Sequence, residues 1–352
     1  MTWQVLLIIG GVILGLFIFS YLFMIFFART MYKRNFDKRY NDNHTLKYYT
    51  AEELSLNSEP VEFPTLDKTT LRGRIYSSKE KDSYKGLIVV SHGIGAGHLP
   101  YMKEIAYMAE RGYLVLGFDD RACNESDGEK LGGLTESLID LDYCLKFIEN
   151  DSRYNKLDVF LYGHGMGAFA VSNVTSFDHP IVKGVVALAP FNNEANFMYE
   201  SYGRITTMRQ RIILTSFRAI VKSRFKEYSK ISTLDSYDKS DVPHLIIAGE
   251  NDNVVDYSNN YYVFKDIFEN KDGYCFISLP GIYNRPTLSK EASEYDMATN
   301  DELGQLQADF KEKVPEHRLK KFYEELDYDK LNQLNEEIMG TICIFFDNCL
   351  TK

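Results

Sequence analysis

Cysteine is scarce in this chain and badly spaced for cross-linking. The five residues, Cys123, Cys144, Cys275, Cys343 and Cys349, are an odd number with no C-x-x-C pair, so neither a disulfide framework nor a zinc site is indicated. Reduced thiols in a cytoplasmic domain are the simplest reading, and no metal or cofactor is expected. Positive charge is also in short supply. Forty Lys and Arg against fifty Asp and Glu leave a net charge of −10, which removes nucleic acid from the expected partners. Internal repeats and low-complexity tracts are absent. Apolar residues are not lacking: 45% of 352 residues is ample for a full core, and single α/β domains of this size are common.

A second absence is local. Residues 1–28 carry no charged side chain, and 3–27 are nearly all Leu, Ile, Val, Phe, Met and Gly. A bilayer span needs about 20 apolar residues. A cleavable signal peptide wants a basic start, a shorter apolar core and a small-residue cleavage site, none of which is evident. Residues 3–27 therefore read as a single-pass transmembrane anchor. Directly after it come Arg29, Lys33, Arg34, Lys38 and Arg39 against one acid, Asp37. No Lys or Arg precedes the run, so the positive-inside bias puts the N-terminus outside and the main domain in the cytoplasm, at the cell membrane. Residues 28–58 read as a basic juxtamembrane linker and 59–352 as the folded domain.

Within that domain, 61–63 and 71–76 alternate apolar and polar residues about a polar turn, the pattern of an antiparallel hairpin. Continuous apolar runs at 86–90 and 113–118 predict strands buried on both faces, and 159–161, 181–188, 242–248 and 274–279 supply further apolar strands. Helical periodicity fills 101–111 and 135–149, and 329–350 is expected to be a closing helix. Such alternation implies an α/β fold, a mostly parallel sheet with helices on both faces and the ligand crevice at the carboxyl ends of the strands. Long helix-rich insertions occupy 191–240, read as a lid, and 285–326, which is acidic.

Four short motifs then carry the chemistry: Ser91-His92-Gly93, Asp120-Arg121 with Glu125-Ser126-Asp127-Gly128, Gly163-His164-Gly165-Met166-Gly167, and Gly249-Glu250-Asn251-Asp252. Any one alone is weak. In this order and at this spacing, residues 60–284 resemble the α/β-hydrolase superfamily, nearest its lysophospholipase, monoacylglycerol-lipase and serine-aminopeptidase branch. The resemblance implies an α/β-hydrolase fold and a nucleophile elbow, G-x-S-x-G, at 163–167. The serine is the third absence: Gly165 stands at its position. The resemblance puts the triad acid at Asp252 and the histidine within 279–284, where Asn284 stands. Glycine has no atom to attack with, and an amide cannot take a proton at neutral pH. The oxyanion or ligand-binding positions map to Ile94 and Met166, beside His92 and Gly93.

The expectation is thus a membrane-anchored, catalytically degenerate hydrolase that binds a small acyl- or ester-type ligand or a protein partner. The alternative is an active ester or acyl hydrolase, of lipid or peptide, with an unconventional nucleophile; Ser91, Cys123 and Ser126 are the candidates, and His317, in the late insertion, would have no serine to activate. A third reading is a structural accessory whose pocket is filled. The lid region adds a basic amphipathic segment, with Arg204, Arg209, Arg211, Arg218, Lys222, Arg224, Lys226 and Lys230 against Glu227. It suits an anionic membrane surface, pairing with the acidic insertion, or plain solvation.

Overall fold

A computed structural model describes residues 3–40, 47–80, 83–95, 97–201, 207–311 and 313–350, with the backbone alone at 207–210. Helix α1 spans Trp3–Phe36 and the hairpin strands β1 and β2 span Leu56–Pro64 and Thr70–Ser78. Then come β3 (Leu87–Ser91), α2 (Met102–Glu110), β4 (Leu114–Asp119), α3 (Thr135–Asn150), β5 (Val159–His164), α4 (Met166–Val174) and β6 (Val182–Leu188). Helices α5 (Glu194–Ser201), α6 (Thr207–Phe225) and α7 (Thr233–Lys239) precede β7 (His244–Gly249), α8 (Tyr261–Phe268) and β8 (Tyr274–Leu279). The chain continues through α9 (Lys290–Asp309), α10 (Glu316–Glu324), α11 (Tyr328–Leu331) and α12 (Glu336–Leu350).

The eight strands form one sheet in the order β1-β2-β4-β3-β5-β6-β7-β8. The pairs β1–β2 and β2–β4 are antiparallel and the rest are parallel. Strands β3, β4, β5 and β7 are buried at every position, which is why their sequences are unbroken apolar runs. One face of the sheet packs on α3 and α4 around Leu138, Leu141, Phe169 and Val171. The other packs on α2 and α12 around Ile105, Met108, Ile342 and Phe346. The closing helix is broken in two. The side chain of Asn335 accepts the Glu337 and Ile338 amides at 3.1 and 3.2 Å and so starts α12 afresh.

Helix α1 is long and apolar enough to cross a membrane. Its 34 residues extend about 51 Å at ~1.5 Å per residue, against a hydrocarbon core of about 30 Å. The sequence reading ends the apolar segment at 27 and begins a linker at 28. The helix instead continues unbroken to Phe36, and Ala28, Tyr32 and Phe36, one turn apart, are buried in the main core. A buried polar knot fixes this end. The Tyr32 hydroxyl hydrogen-bonds the Glu194 carboxylate, whose other oxygen accepts the Thr135 amide at 2.8 Å and hydroxyl at 2.6 Å. Arg224 lies over the Tyr32 ring and pairs with Asp37 at 2.6 Å. Helix α6 therefore runs against α1.

Candidate active-site cleft

The elbow is built by three glycines, each for a different reason. Strand β5 ends at His164 and α4 begins at Met166, so Gly165 alone makes the turn, at φ 54° and ψ −107°. That is a backbone conformation which strains other residues. A Cβ on Gly163 would fall on the Gly167 carbonyl, and one on Gly167 on the Ser91 carbonyl, so both must be glycine for β5, α4 and β3 to close together. At Gly165 itself a Cβ would meet nothing within 4 Å. The space a nucleophile's side chain would occupy is open.

Positions 252 and 284 meet because Gly249 lets the chain after β8 come close. A Cβ there would strike the Ile282 and Tyr283 carbonyls, and the Asn251 amide donates to the Ile282 carbonyl at 3.0 Å. The Asn284 side-chain amide then donates to both oxygens of Asp252, at 3.2 and 3.0 Å. Asp252 also accepts the Val254 and Val255 amides at 2.8 and 2.9 Å. Burial nonetheless raises its pKa, against the pull of those three donors. The acid thus holds an amide where a triad acid orients an imidazole.

A cleft of about 510 Å³ opens at the carboxyl ends of the strands and is lined by Gly93, Ile94, His164, Asn284 and their neighbours. His164 is pinned at both nitrogens: Nε2 donates to the Asn284 carbonyl at 2.8 Å and Nδ1 accepts the Tyr101 hydroxyl at 2.7 Å. Burial, reinforced by the Arg285 charge, lowers its pKa to about 4, so it is neutral at physiological pH. Tyr101 in turn accepts the Gly93 amide at 3.0 Å, and burial pushes its pKa up to about 12. The amides of Ile94 and of Met166, first in α4, make no hydrogen bond among the described residues. Ile94 lines the cleft, whereas Met166 is buried and is not among the residues that line it.

His92 belongs elsewhere. It is fully buried and does not line the cleft; its Nδ1 bonds the Gly93 carbonyl at 2.6 Å and its Nε2 accepts the Asp120 amide at 2.9 Å. Its part is to hold the turn carrying Gly93 and Ile94. None of the substitute nucleophiles reaches the cleft. Ser91 is buried beside Ser137, Ser126 bridges the Arg72 amide and the Asp119 carbonyl, and Cys123 is buried with its thiol pKa raised by burial. His317 is exposed on α10 and lines no part of the cleft. Among the described lining residues the only hydroxyls are the phenols of Tyr101 and Tyr283.

The walls hold what the sequence reading missed. Arg285, Asp296, Met297 and Asn300 line the cleft, so the acidic insertion, through α9, covers it. No described residue of 191–240 does so. Arg285 reaches into the fold to pair with Glu104 at 3.1 Å, a buried acid on α2 that also accepts the Thr287 hydroxyl. Arg285 directly follows Asn284, which was the one available signal.

This sheet order, with a strand–glycine–helix elbow above it and an acid after β7, defines an α/β-hydrolase scaffold. Comparison with known proteins agrees. The family described as serine aminopeptidase, S33, matches residues 82–224. A Pyrococcus furiosus esterase structure superposes with a TM-score of 0.53 at 18% identity, covering 77% of this chain and 98% of that one. A polyketide transferase of Aspergillus fumigatus is 26% identical over 141 residues, 39% of this chain and 47% of that protein. A thiohydrolase of Arthrinium phaeospermum is 29% identical over 143 residues, 40% and 45% respectively. The chain thus spans about half the length of the curated relatives it matches. The chain has the α/β-hydrolase fold, and over residues 82–224 it is similar to the serine aminopeptidase, S33, family.

Proposed function

We propose that this chain is a single-pass, membrane-anchored α/β-hydrolase-fold protein that has lost the serine-hydrolase reaction and uses the cleft to bind an acyl- or ester-type ligand or a protein partner. The observation that carries this is the pairing of Asp252 with an amide, Asn284, beside an elbow whose central residue is glycine. Nucleophile and base are both missing, while the amide of Ile94, which lines the cleft, stays in place as an acceptor-seeking donor. Such a donor stabilises a developing oxyanion by about 3 kcal/mol when chemistry follows. Without that chemistry, it selects a carbonyl or carboxylate.

The purified chain is expected to take no covalent label from a fluorophosphonate and to hydrolyse nitrophenyl esters no faster than buffer. Turnover that disappears in Asp252→Asn would instead establish the second reading, an acyl hydrolase with an unconventional nucleophile. That reading draws on the names of the transferase and thiohydrolase relatives.

The basic residues after 27 favour a cytoplasmic domain. Cys275 is the one exposed cysteine of the five, which makes it the reporter for topology. A membrane-impermeant maleimide is expected to modify it in lysed cells and not in intact ones; labelling in intact, unleaked cells reverses the orientation.

A further inference from the structure

The groove between α1 and α6 has no part in the cleft. It encloses about 610 Å³ and takes its walls from both helices. Its charges are all of one sign. Arg29 and Lys33 from α1 and Arg211 and Arg224 from α6 line it, with no carboxylate, in a chain of net charge −10. Arg224 is committed to Asp37 and the Gly132 carbonyl. Arg29, Lys33 and Arg211 are exposed and form no ion pair among the described residues.

The groove also has an apolar half. Along α1, Tyr21, Ile25, Arg29 and Lys33 line it at steps of four, so one helix face changes from apolar to basic within about three turns. Ile212 and Ile220 face it from α6. That sequence of surfaces matches a phospholipid at the end of a membrane span: acyl chain against the apolar steps, phosphate among the cations.

We infer that this groove binds one anionic phospholipid, its headgroup phosphate held by Arg29, Lys33 and Arg211 and an acyl chain lying along Tyr21, Ile25 and Ile212. The inference rests on α1 being the bilayer anchor proposed above. A soluble anion would gain nothing from the isoleucine wall, and a zwitterionic lipid would bring its own cation to three others. The lipid would fill the groove along the seam between α1 and α6.

Native mass spectrometry of the full chain in mild detergent, titrated with phosphatidylglycerol, phosphatidylcholine or inorganic phosphate, tests it. Phosphatidylglycerol should bind about ten-fold or more tightly than phosphatidylcholine. Arg29→Gln/Lys33→Gln/Arg211→Gln should abolish the preference. A charge-matched control, Lys239→Gln/Lys265→Gln/Lys313→Gln, should keep it. All six side chains are exposed, so the variants should melt as the parent does. Equal binding of the two lipids, or a preference that survives in the groove variant, overturns the site. Competition by millimolar phosphate overturns the lipid in favour of a free-anion site. Alkaline carbonate extraction of membranes separates the two levels. A chain that is extracted refutes the anchor, whereas a chain that stays without preferring phosphatidylglycerol refutes the groove alone.

Discussion

Gly165 keeps the geometry of a reactive turn without the reactive atom. Its φ of 54° and ψ of −107° would strain a serine by about 1–3 kcal/mol, and glycine removes that strain. Nothing has collapsed into the place of the missing side chain, and Asp252 still points two hydrogen-bond acceptors at position 284. The machinery should therefore be restorable. Gly165→Ser together with Asn284→His is expected to gain fluorophosphonate labelling, with Gly165→Ser alone at least about 100-fold slower, the usual worth of a positioned base. In-gel fluorescence of the labelled protein reads this directly. A double variant as silent as the single one would mean that the cleft has lost more than two side chains.

At the scale of elements, helix α3 is tied to the loop before β6 through His179. Its ring bonds Asp142 at 3.0 Å and Glu149 at 3.1 Å, both on α3. Burial by itself lowers its pKa, but the two carboxylates outweigh burial and the net shift is upward. The sign follows from proton linkage. The folded state holds the proton more tightly than the unfolded chain, so the tie is at full strength below about pH 6.5 and fades as pH rises through the elevated folded value. Between pH 6 and pH 8 the denaturant midpoint of the parent should fall further than that of His179→Gln, and equal falls would show that the tie contributes nothing. Helix α6 carries the basic segment for which the sequence leaves three settings open: a membrane surface, the acidic insertion and solvent. Its basic, amphipathic character is plain in sequence, yet no described side chain of α6 pairs with the acidic insertion. Arg224 goes to Asp37, Lys230 on the turn that follows goes to Glu227, and the side chains of Arg204 and Arg209 lie outside the described residues.

For the whole molecule, helix α1 is two things in one element. Most of its first 25 residues have exposed apolar side chains, Met24 packs against the core from its edge, and Ala28, Tyr32 and Phe36 complete that core. The two roles should separate on truncation. Residues 28–352 are expected to fold and remain soluble in the absence of detergent. Residues 37–352, lacking the Tyr32 and Phe36 plugs, should aggregate or melt well below the longer piece, because each buried aromatic contributes about 3–5 kcal/mol. Comparing the two by size-exclusion chromatography and thermal unfolding decides it; equal behaviour would make the buried end of α1 dispensable.

The sequence by itself determined the strands and the glycine turn between β5 and α4, because each is local. An unbroken apolar run or glycines two apart need no partner to be recognised, whereas that a serine is expected at 165 came from the resemblance. The pairing of Asp252 with Asn284 was legible only through the resemblance, since 32 residues separate them. Three things were decided by tertiary structure alone: that α1 continues into the core, that α9 rather than the 191–240 insertion walls the cleft, and that Arg285 is anchored by a buried Glu104. The reason is the same each time. Where a polar or amphipathic segment lies depends on which distant surface satisfies its charges, and that surface exists only after the sheet has brought its two ends together.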